Sequence, residues 1–221
     1  MQAYLIWGYL HILLFVFWLG TDIGGIMSLV MARNAKRSFE ARMALTRLSQ
    51  ALDIFPRVCL ALTLPVGLHL TVALNLYPIT GQLRTVGWAL AAYWLVTLII
   101  MKRTAGTDLA INLGRLRSVS YVIVGLIFVV IGLNSLATGA PLEETWYATK
   151  LLLYGLVFWT AVAIDICLQP FQVPFMEIGQ QGSEPEREEA VSRAVGNTLV
   201  ASVVLYMLIA AIAFIGKVKP F

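Results

Sequence analysis

The chain holds two histidines, and both lie inside long apolar runs. His11 stands seven residues from the expected outer end of the first run, Tyr4–Met31. His69 stands seven residues from the outer end of the second, Ile54–Leu76. At about 1.5 Å of helical rise per residue, each is roughly 10 Å deep. The two helices run antiparallel, so equal depth lets the imidazoles face each other across a flat macrocycle. Iron held by two imidazoles has no open position and suits electron transfer. The chemistry this pair points to is a haem b near the outer face, exchanging electrons with a quinone or an outer-side redox protein. Packing or proton handling is the competing reading, since membrane histidines also bond to neighbouring helices or line polar cavities.

Other polar groups share these levels. Lys150 lies about one turn inside the outer end of the fifth run. Snorkelling to the interface is its ordinary fate; neutralising a haem propionate, a porphyrin carboxylate or a quinone oxygen is the alternative. Trp7, His11, Phe15, Trp18 and Asp22 recur at three- and four-residue steps, which places them on one helix face. A polar-aromatic face in lipid points into the bundle, so Trp7 and Trp18 are expected to border any site. Asp22 and Asp165 fall near the inner headgroups, with Arg57 the natural salt-bridge partner. Pro65, one turn before His69, frees the Ala61 carbonyl and is expected to kink its helix.

The elements that carry these residues follow from composition. Of the 221 residues, 59% are hydrophobic and 13% charged, against about 25% charged in a soluble domain. The apolar residues gather in runs of about twenty, the length that spans a bilayer as helix. They lack the alternation of a β-barrel strand. The reading is an all-α integral membrane protein, a single helical domain over residues 1–221. Six spans are expected: Tyr4–Met31, Ile54–Leu76, Thr85–Met101, Val119–Ala137, Trp146–Leu168 and Val195–Ile215. The third is shortest, and five spans result if it fails to cross. The first run has no basic residue before it and no cleavage site after it, so it is read as a retained helix rather than a signal peptide.

Twelve of the sixteen Lys and Arg residues fall in or beside the loops after spans one, three and five. The positive-inside rule puts those loops in the cytoplasm and both termini outside. Tyr4, Trp7, Tyr9, Tyr77, Trp88, Trp146 and Tyr147 then form an outer aromatic belt. The segment 33–53 is amphipathic and is expected to continue the first helix or lie on the membrane surface. Gly20, Gly24 and Ser28, and likewise Ala194, Thr198 and Ser202, make small-residue stripes for close helix packing. Ser183 and Glu186 read as a capping box from which a helix starts and runs into the last span, and Glu189 and Arg193 as an i,i+4 pair. Cys59 and Cys167 read as small buried residues. No basic stretch interleaved with aromatics indicates nucleic-acid binding.

Two stretches resemble a known family. Tyr9-Leu-His11 through Phe-Trp18-Leu-Gly20 is similar to the first helix of CopD and HemJ-type membrane proteins, with an early His and then a Trp-small-Gly pattern. Gly139-Ala-Pro141, followed by Trp146-Tyr-Ala-Thr-Lys150-Leu, is similar to their later helix start, in which three residues separate Trp from Lys. The likeness covers about a third of the chain. It implies a bacterial inner-membrane protein with His11 and Lys150 as a functional pair. The implied activity is haem-linked protoporphyrinogen oxidation, a membrane oxidoreductase chemistry, or copper handling. His69 lies outside the likeness, and the chain carries two extra helices between the matched stretches. A copper path calls for clustered Met or Cys, whereas the seven methionines are scattered. A non-catalytic assembly subunit is the third class of function.

Overall fold

A computed structural model describes residues 2–220. The helices are α1 (Gln2–Ala32), α2 (Phe39–Leu52), α3 (Ile54–Ala73), α4 (Gly81–Arg103), α5 (Asp108–Thr138), α6 (Thr145–Leu168), α7 (Gln172–Gln181) and α8 (Pro185–Val218), with a 3-10 turn, Gln169–Phe171, before α7. The described residues contain no strand. Six stretches are long and apolar enough to cross a bilayer.

The distribution of exposure supports a lipid surround. Leu5, Ile12, Val130, Val200 and Met207 are all more than half exposed. Such a surface is untenable in water but ordinary against acyl chains. The chain is therefore an all-α integral membrane protein. The third span is a full 23-residue helix, α4, so the five-span alternative falls away. Thr80 caps it, accepting the Leu83 N–H at 3.3 Å, and Lys102 and Arg103 sit in its last turn against the negative end of the helix dipole.

Charge hides one helix start: α5 begins at Asp108 rather than Val119. α8 begins at Pro185, within two residues of the helix start expected at Ser183 ahead of the span Val195–Ile215. The extra turns carry charged residues that belong to the helix but not to the apolar run. The amphipathic segment is a separate helix, α2, after a break at residues 33–38. The capping box does not form. Pro185 starts α8, making Glu184 the capping residue, and Ser183 instead donates to Glu188 at 2.7 Å. Glu186 and Glu188 complement the positive helix end. The Glu189–Arg193 pair forms as expected.

The chain packs as two units, residues 1–23 with 52–119 and residues 24–51 with 120–221. In the first, α3 and α4 meet where Gly87 lies against Pro65 and Leu68; a Cβ at Gly87 would stand 2.6 Å from Leu68 Cδ1. Cys59 is buried on α3. Gly20 meets nothing within 4 Å, so at that position the predicted stripe is not a contact. In the second unit, Ala194, Thr198 and Ser202 are buried, as the stripe on the last span predicts. α5 and α6 approach each other closely, backbone against backbone. A Cβ at Gly132 would lie 2.7 Å from Leu152 Cβ, and one at Gly155 would lie 2.6 Å from the Gly125 carbonyl.

The second unit also has a core at the ends of its helices, built on Ile26, Leu29, Phe171, Phe175, Ile178 and Val191. Arg42 of α2 is 2% exposed within it. Its guanidinium donates to both oxygens of Glu188 at 2.7 and 2.8 Å and to the Ala32 carbonyl at 2.8 Å. This buried pair joins the end of α1, α2 and α8.

Candidate functional site

The first unit holds both histidines. The face of α1 predicted to point inward does so: Trp7, His11, Phe15 and Asp22 are part-buried and Trp18 is buried, while Tyr4, Leu5, Ile6, Tyr9 and Ile12 face outward. That face lies on α3. Gly8 approaches Leu70, since a Cβ there would be 3.9 Å from Leu70 Cδ1. The His11 ring lies over Gly67, its Cε1 3.7 Å from where a Cβ would be. This antiparallel register sets His69 about two residues from the level of His11, roughly 3 Å along the axis. The matched depth expected from the sequence therefore holds to within a turn.

His69 sits among tryptophans. Its ring stacks on Trp7, centroids 4.3 Å apart and planes 14° from parallel. Trp88 Nε1 donates to His69 Nε2 at 3.2 Å. Indole is a donor only, so Nε2 must accept, and the imidazole is neutral with its proton on Nδ1. That N–H remains as a donor for a ligand. Arg84 lies one turn before Trp88 on the same side of α4. Trp88 is 41% exposed, so the cluster opens outward beside α4. Sequence reading places Trp88 in the interfacial belt and gives Arg84 no role. The available signal was their four-residue spacing at the start of α4.

A haem between His11 and His69 does not fit this arrangement. α1 and α3 meet through the Trp7–His69 stack, and a Cβ at Gly8 or Gly67 would already touch Leu70 or His11, so a porphyrin would require the helices to part. The Nε2 that would ligate iron already accepts the Trp88 proton, and one face of the ring is covered by Trp7. No group of three or more His, Cys, Asp or Glu converges among the described residues in a way that would hold a metal ion.

Trp18 is buried and its Nε1 makes no hydrogen bond. Arg57 pairs with Asp53, one turn upstream, at 2.7 Å. Lys150 belongs to the second unit, where its side chain lies along Gly216 of α8; a Cβ at Gly216 would stand 2.8 Å from Nζ. Trp146, one turn earlier, is buried, donates to Glu144 at 3.0 Å and carries the Lys219 ammonium 4.6 Å from its ring centre. No family model, curated protein or solved structure matches this chain.

Proposed function

We propose that the protein serves electron transfer in a bacterial inner membrane by binding the head group of a quinone at His69, with both termini on the outer side. The Trp88–His69 hydrogen bond carries this reading. It fixes an imidazole that offers Nδ1–H, at the membrane end of α3. A directed imidazole N–H among indole rings, with a guanidinium one turn before Trp88 on α4, matches a flat ring bearing carbonyl oxygens. A quinone arrives through the acyl chains, and the part-exposed cluster faces that route. Quinone reduction takes two electrons and two protons, so the redox partner is a separate protein, expected on the outer side. The residues of this chain bind and orient the head group.

Titration of the detergent-purified protein with a short-tailed quinone tests this, read as quenching of tryptophan fluorescence. His69→Leu and Arg84→Gln are each expected to weaken binding about tenfold, the size of one charge-assisted or well-placed hydrogen bond. Unchanged affinity in both variants rejects the site. A visible spectrum of the same sample, before and after dithionite, decides the haem alternative. A Soret band lost in His11→Ala and His69→Ala would mean that α1 and α3 part to admit a porphyrin. Copper handling predicts bound metal without that band, and an assembly subunit predicts neither.

A further inference from the structure

The second unit brings two cations to one spot where α6 and α8 meet. Lys150 crosses from α6 to α8, with its Cδ, Cε and Nζ all lying along Gly216. Lys219 caps the end of α8 in the left-handed conformation and sets its ammonium over Trp146. The pairings Trp146–Lys219 and Lys150–Gly216 share one antiparallel register. Trp146 and Lys150 are i,i+4 on α6, and Gly216 and Lys219 are i,i+3 on α8, so both ammonium groups border the same patch. Among the described residues neither has a carboxylate within ion-pair distance. Glu144, the nearest acid in sequence, is turned to the Trp146 indole.

We propose that this bracket binds the phosphate of an anionic phospholipid. The observations favour a lipid head group over a solute. Lys150 is part-buried between α6 and α8 in the second turn of α6, near the helix end that the aromatic residues assign to the head-group level. Trp146 and Tyr147 mark the same level. The ammonium occupies space that Gly216 leaves open, since a Cβ there would stand 2.8 Å from Nζ and oblige it to shift. Two ammonium groups supply donors to two phosphate oxygens, and the negative lipid answers the uncompensated charge.

The test is thermal unfolding of the delipidated protein in detergent with added phosphatidylglycerol, phosphatidylcholine or inorganic phosphate. Phosphatidylglycerol is expected to raise the apparent Tm above phosphatidylcholine at equal concentration, since a ligand that binds only the folded state stabilises it. Lys150→Gln and Lys219→Gln are each expected to weaken that lipid about tenfold. Gly216→Ala, which keeps both charges but displaces the Lys150 ammonium, is expected to act in the same direction. Equal shifts from the two lipids, or an undiminished phosphatidylglycerol shift in all three variants, would overturn the proposal. An equal shift from inorganic phosphate would overturn the lipid assignment in favour of a free anion.

Discussion

The informative side chains are those whose partners fix their chemical state. His69 is held as a neutral ring by an indole that can only donate. Trp88→Phe keeps the ring but removes the donor, and is expected to cost about 0.5–1 kcal/mol of quinone affinity by freeing the imidazole to change tautomer. The 15N signals of the His69 ring report this directly; an unchanged tautomer ratio would show that the bond does not set it. Arg42 is the structural counterpart. Its charge is buried and matched by Glu188 and the Ala32 carbonyl. Arg42→Met leaves a carboxylate without its cation and is expected to destabilise the fold by about 3–5 kcal/mol. The Arg42→Met, Glu188→Leu double variant is expected to recover part of that loss, because the uncompensated charge is gone. Denaturation of the two variants side by side checks the order.

Helix faces decide which small residues matter. Both stripes predicted from spacing look alike in sequence, yet only that on α8 is buried at each position, and Gly20 on α1 meets open space. Gly125, Gly132 and Gly155 stand where the α5 and α6 backbones nearly touch. Gly132→Ala is therefore expected to cost about 1–3 kcal/mol by overpacking, and Gly20→Ala to stay within about 0.5 kcal/mol of wild type. Unfolding in mixed micelles measures both. Equal effects would mean that the α5–α6 contact is looser than its geometry implies. Helix limits follow a different rule. α5 and α8 start about three turns before their apolar runs because a helix leaving the bilayer keeps its own hydrogen bonds.

At the scale of the molecule, an even number of crossings and the positive-inside rule lead to the expectation that both termini lie on the outer side. Reporter fusions at residue 220 and within 104–107 are expected to give opposite sidedness, with the fusion at 220 outside. The same side for both would reduce the number of crossings between them by one. The existence and order of the spans were legible because lipid permits little else: each crossing segment must satisfy its backbone internally and present apolar side chains. The inward face of α1 was legible for the same reason, through three- and four-residue spacing.

Composition and periodicity by themselves determined the helical membrane class and the spans, since each depends on local sequence and a fixed rise per residue. Only tertiary structure decided what the polar groups meet. Trp7 and Trp88 close on His69, Gly67 lies beneath His11, and Lys150 runs along Gly216. These pairings depend on how each helix is rotated and how far it slides against its neighbour. Packing between faces distant in sequence sets both quantities, and a hydropathy pattern does not encode them.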